Sequence, residues 1–125
     1  MKAKIIFVFM AVIYLLRGVA LIFIPEKLFG MYGASLDATG NWNAQFMGGA
    51  LLFIGLVNWF ASRNTDNPFL RNVIISNIIF QSVCIIVTLK GASLFNSLVY
   101  PAVGLDFLLV ALFVWLLFSS NTDKK

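Results

Sequence analysis

A chain of 125 residues that is 61% apolar and only 11% charged, with a mean hydropathy of +0.94, carries too little polar surface to cover a soluble core. Histidine is absent and Cys84 is the single cysteine, which removes the usual haem and zinc ligands, the commonest general base, any disulfide and any Cys-x-x-Cys redox pair. The net charge of +4 comes from basic residues at the chain ends and in one short loop, a distribution that suits membrane orientation and not a nucleic-acid surface.

The first apolar run, about residues 5–24, extends roughly 30 Å as a helix and so spans a hydrocarbon core. Pro25 ends it. Lys2 and Lys4 ahead of this run look like the start of a signal peptide, but Arg17 interrupts the run and no small-x-small cleavage site follows, so it is read as a retained helix. The stretch from Pro25 to Asn43 is a loop punctuated by Gly30, Gly33 and Gly40, in which Leu28, Phe29, Met31 and Tyr32 suit a short interfacial helix. A second span covers about residues 44–61, with Asn41 or Asn43 as its N-cap. Ser62 to Pro68 form a polar turn, and a third span covers about 70–89. After a turn from Lys90 to Asn96, the fourth span covers about 97–118 and leaves a polar tail, Ser119 to Lys125.

Short connections between successive spans predict an all-α integral membrane domain, an antiparallel four-helix bundle over the whole of 1–125. Lys2, Lys4, Arg63, Arg71, Lys124 and Lys125 fall on one face, whereas Lys27 and Lys90 fall on the other. The positive-inside bias therefore predicts a multi-pass protein of the cell membrane with both termini in the cytoplasm.

Charged and polar residues inside the spans single themselves out, because an ionised group near the bilayer centre costs about 3 kcal/mol on insertion scales. Arg17 lies near 10 Å below the outer interface at 1.5 Å per residue. Asp106, the only acidic residue within a span, lies within a turn of that depth. Pairing the two across the bundle neutralises both. The pair then either fixes which helices touch or forms the polar floor of a ligand cavity, and the sequence favours neither. On the third span Asn77, Gln81, Cys84 and Thr88 recur at i, i+4, i+7 and i+11 and so share one inward stripe. At the depth of the charged pair, Gln81 is expected to bridge it, whereas Asn77 and Thr88 are read as interhelical glue.

On the second span Ala44, Gly48, Leu51, Gly55, Asn58 and Ser62 share one side, and Ala44, Gly48 and Gly55 mark a close helix contact in preference to a ligand surface. Pro101 and Gly104 are expected to bend the fourth helix just before Asp106, free a carbonyl and widen an outer pocket. Trp42, Trp59, Tyr100 and Trp115 sit where interfacial anchors belong.

Arg17-Gly18 with Pro25 closing the first helix, Gly48-Gly49 and Gly55 in the second, and Asp106 in the fourth together resemble the DoxX-like superfamily of small four-helix membrane proteins. The resemblance covers nearly the whole chain. It implies the fold, and a role like that of subunits of membrane oxidoreductase complexes or of assembly factors for receptors. No redox motif in this chain supports the oxidoreductase role.

Three functions compete. The first is a non-catalytic accessory or assembly subunit, favoured by minimal loops, the lack of any cofactor or metal motif, and apolar faces suited to lipid, to another membrane protein or to a second copy of the chain. The second is a protein or enzyme that binds a lipid, sterol or quinone, an apolar small molecule held at an Asp106–Arg17 site. The third is a small multidrug-type exporter. It ranks last because such exporters carry a carboxylate in the first helix, where this chain has Arg17. Whether the chain is an enzyme stays open at this level.

Overall fold

The computed structural model describes residues 2–119, and all the regular structure among them is helical. The tail with Lys124 and Lys125 lies outside the described residues. The elements are α1 (Lys2–Phe23), a short α2 (Pro25–Met31), α3 (Ala38–Arg63), α4 (Leu70–Lys90), a 3-10 turn (Ala92–Leu94) and α5 (Val99–Ser119). Of these, α1, α3, α4 and α5 are long and apolar enough to cross a membrane. They form the antiparallel bundle that the short connections predict.

Local chemistry explains most of the boundaries. Pro25 occupies the first turn of α2, where its missing N–H costs nothing, and it holds Ile24 out of helical geometry at φ −136°, ψ 46°. The chain bends there without breaking, since the Ile24 amide still donates to Ala20 O and the Leu28 amide to Ile24 O. Leu28 and Phe29 of α2 turn towards the core and close one end of the bundle. Gly33, at φ +77°, turns the chain beside Asn96, whose side chain a Cβ at Gly33 would meet at 3.4 Å. Asn96 then ties the two together, donating its backbone N–H to Tyr32 O (2.7 Å) and its side-chain amide to Met31 O (2.9 Å).

The second long helix begins at Ala38, earlier than its apolar run, and Asp37 caps it by accepting from the Gly40 amide at 2.6 Å. Asn41 and Asn43, the expected caps, lie inside the helix, and the Asn41 amide already donates to Asp37 O. Hydropathy marks only the buried length of a membrane helix, and a cap extends the helix through polar sequence.

The helices pack unequally. α1 lies directly against α3, whose Ala44, Gly48 and Gly55 are buried along one line. A methyl group on Gly48 would stand 2.8 Å from Gly18 O, and one on Gly55 would stand 2.8 Å from Leu15 Cγ, so only hydrogen fits at either place. α4 lies against α5, and large side chains join this second pair of helices to α1. Phe7 meets Phe113 edge-on with ring centroids 5.4 Å apart, and Tyr14 meets Phe80 at 5.7 Å. Phe9, Leu16, Phe53, Phe60, Phe107 and Phe118 point outward, as a lipid-facing surface requires. Lys2 stands over Trp115 and Arg63 over Trp59, which gathers two rings and two cations at the end that carries the α3–α4 turn.

Candidate functional site

Positions 10, 14 and 17 of α1 follow one another at i, i+4 and i+7, so Met10, Tyr14 and Arg17 project from one face towards α4 and α5. Asp106 of α5 meets Arg17 there: Arg17 Nη1 donates to Asp106 Oδ1 at 2.8 Å. The carboxylate side is almost enclosed, at 9% exposure, whereas the arginine side chain keeps 29%. The guanidinium also stands 5.6 Å from the centre of the Tyr14 ring one turn below, so the cation is held by a carboxylate and by a π-face. Opposite charges at this spacing offset each other's desolvation, which is the condition for keeping either in an apolar bundle.

Gln81 does not bridge this pair. Its Oε1 accepts the Tyr14 hydroxyl, and its Nε2 faces Met10 Sδ at 3.5 Å. Tyr14, one turn towards the bundle centre from Arg17, reaches the glutamine first, because a buried phenol needs an acceptor and Gln81 supplies one. Asn77 belongs to a separate layer one turn further along α4. It and Asn58 of α3 exchange amide hydrogen bonds in both directions, at 2.8 and 3.1 Å, and Asn58 Nδ2 also donates to Ile54 O. Both asparagines are buried, and Ser62, a turn beyond Asn58 and also buried, donates to Trp59 O at 2.6 Å. Cys84 is half-buried within electrostatic range of Asp106 and Arg17, and Thr88 is half-buried a turn beyond it.

The buried polar side chains therefore form a ladder along the bundle interior, from Arg17–Asp106 through Tyr14–Gln81 and Asn58–Asn77 to Ser62. Sequence reasoning missed Tyr14 and Met10 in this ladder. A tyrosine three residues before a membrane-embedded arginine, on the same helix face, was the available signal. Asn58 was recognised on the glycine stripe of α3 without its partner, since a stripe shows which way a residue faces and not which helix it meets.

The expected bend in α5 is absent as a source of polarity. Pro101 falls in the first turn of the helix, where no intrahelical hydrogen bond is lost, and the space beside Gly104 is open. Neither Arg17 nor Asp106 lines either of two hollows that lie between α3 and α4. The larger, about 430 Å³, is a lateral groove between α3 and α4, and the smaller, about 200 Å³, continues it towards the α3–α4 turn. Among the described residues no three His, Cys, Asp or Glu side chains gather as a metal site would need.

No family model, curated protein or solved structure matches this chain.

Proposed function

We propose that this chain is a non-catalytic accessory or assembly subunit of a membrane, inserted with both termini in the cytoplasm, and that its polar ladder holds the bundle in one arrangement. The observation that carries this reading is the mutual satisfaction of the buried groups. Arg17 pairs with Asp106, Tyr14 with Gln81 and Asn58 with Asn77, Asn58 donating also to Ile54 O, and neither charged residue lines the groove between α3 and α4 or the hollow that continues it. Catalysis and ligand capture need unspent donors or acceptors facing a space that a substrate enters. A polar interior satisfied from within specifies instead which helices meet and at what register. The DoxX-like resemblance, proposed on Arg17-Gly18, Gly48-Gly49, Gly55 and Asp106, supports the same role. The topology rests on Lys2, Lys4, Arg63, Arg71, Lys124 and Lys125.

A second reading, a binding protein or enzyme for a lipid, sterol or quinone at Asp106 and Arg17, is favoured by one observation, the 29% of the Arg17 side chain left exposed. Quantitative comparison of membrane proteins in cells with and without this chain separates the two. The accessory role expects a defined membrane protein to fall in abundance and to be restored by the Arg17→Gln, Asp106→Asn double variant as well as by the wild type. Restoration by the wild type alone, with the double variant folded and inserted, would instead assign the function to the charged pair.

A further inference from the structure

We infer that the bundle is two helical hairpins hinged at the α3–α4 turn and latched at the opposite end by Asn96, and that release of the latch admits water to Arg17 and Asp106. The backbones approach closely within two pairs, α1 with α3 and α4 with α5, and little between the pairs. α2 belongs with the first pair and the 3-10 turn with the second, and residues 64–69 are the covalent link between them. The side-chain pairs of the ladder all cross this seam: Arg17 with Asp106, Tyr14 with Gln81, and Asn58 with Asn77. Inside the first hairpin, by contrast, the glycine contacts interlock backbone with backbone and leave no room for sliding.

The apolar part of the seam is lopsided. The core that joins the hairpins takes Ile74, Leu109, Phe113 and Leu116 from α4 and α5, all nearer the α3–α4 turn than the charged pair is, whereas Ile85, Val99 and Val103, towards the other end, are buried apart from it. Beyond that core the hairpins meet at Arg17 and Asp106 and then at a clasp. Phe95 lies against Phe29 and Tyr32, with ring centroids 6.3 and 6.4 Å apart, and Asn96 donates its backbone N–H to Tyr32 O and its side-chain amide to Met31 O. The side-chain oxygen of Asn96 accepts the Leu98 amide at 3.0 Å, which holds the donor in place. Tyr32 lies within electrostatic range of Arg17, so the clasp is the next layer beyond the charged pair. Hydrogen bonds trade for bonds to water at small net cost and buried hydrocarbon has no such substitute, so the seam parts first at the latched end. This device goes beyond the accessory role, which stands whether or not the latch opens.

Cys84, half-buried within electrostatic range of the charged pair, is a native reporter of such opening. Its rate of modification by a charged, membrane-impermeant methanethiosulfonate, on the full chain in lipid nanodiscs and read by peptide mass, tests the latch. Both faces of a nanodisc meet the reagent, so the result is independent of which end is cytoplasmic. Asn96→Asp keeps the oxygen that accepts the Leu98 amide and deletes the donor to Met31 O, and it should raise the rate at Cys84 about fivefold, the weight of one hydrogen bond. Gly33→Cys with Asn96→Cys sets two Cβ atoms 3.4 Å apart, at the short edge of disulfide geometry, and the oxidised double variant should slow modification of Cys84 below the wild-type rate. In a Cys84→Ser background, Ser62→Cys reports on the hinge end, where Ser62 is buried, and its protection should be the same with Asn96 or with Asn96→Asp. Should Asn96→Asp fail to fold, the locked variant against the wild type decides alone. Equal Cys84 rates in the wild type and the locked variant, or an equal gain in reactivity at both ends on Asn96→Asp, would overturn the inference.

Discussion

Gly48→Ala adds one methyl group where α1 and α3 touch backbone to backbone. The new carbon would stand 2.8 Å from Gly18 O, 2.9 Å from Ile22 Cγ1 and 3.0 Å from Leu21 Cβ. The nearest of these atoms is a main-chain oxygen, fixed in the hydrogen-bonded ladder of α1, so rotation of a side chain cannot relieve the clash. The helices must separate by about 0.5 Å, and a gap of that size forfeits a quarter or more of the dispersion energy along the seam. Overpacking of this kind costs about 1–3 kcal/mol. Gly49→Ala is the internal control, because the adjacent position has open space beside it. There the substitution only removes the helix penalty of glycine, a gain of about 0.5–1 kcal/mol. Both substitutions gain the same helix propensity, so the gap between the two variants is the overpacking cost, about 1–3 kcal/mol, with Gly49→Ala the more stable. Thermal unfolding in mild detergent, followed by circular dichroism and by retention of the monodisperse peak, measures the gap. Equal stability of the two variants would refute the close α1–α3 contact.

The paired asparagines should behave as a unit: Asn58→Ala or Asn77→Ala alone leaves a buried amide unpaired at about 1–3 kcal/mol, and the double variant should lose less than the sum, as read from a double-mutant cycle in detergent. Tyr14→Phe removes the hydroxyl that Gln81 accepts and should lower stability by about 1–2 kcal/mol, while the same change in a Gln81→Met background should cost little in the same assay. In a Cys84→Ser background, a cysteine introduced at Ser35 should react with an impermeant maleimide applied to intact cells and one introduced at Asp66 should not, with the reverse pattern contradicting cytoplasmic termini.

Helix number and type were legible because four apolar runs of spanning length leave no other solution in lipid. Boundaries were less so, as α3 shows: Asp37, Ala38 and Gly40 read as loop by hydropathy, yet a side-chain cap starts the helix there. The glycines of α3 were legible as a contact, because small residues on one face of a membrane helix have packing as their main use. That Gly18 lies opposite Gly48 is a tertiary fact with no local signature. Arg17 and Asp106 were legible as a pair from scarcity, since each has no other opposite charge within the spans. Gln81 illustrates where that logic stops. Depth and face placed it correctly, but Tyr14 competes for it, and choosing between two donors at similar height needs coordinates. Pro101 misled for a local reason, since one or two residues of helix start decide whether a proline kinks a helix or opens it.

The central claim, that Arg17 and Asp106 form a structural pair, is tested most directly by a double-mutant cycle on their stability in detergent. Arg17→Ala strands a carboxylate that is 9% exposed, and breaking such a pair costs about 3–5 kcal/mol when both partners are fully buried. The 29% exposure of the arginine side lowers the expectation to about 2–3 kcal/mol. Asp106→Asn added to Arg17→Ala removes the stranded charge, so the double variant should be more stable than Arg17→Ala alone, with a coupling of about 1–3 kcal/mol. Independent, additive losses would contradict the pairing and with it the account of the ladder.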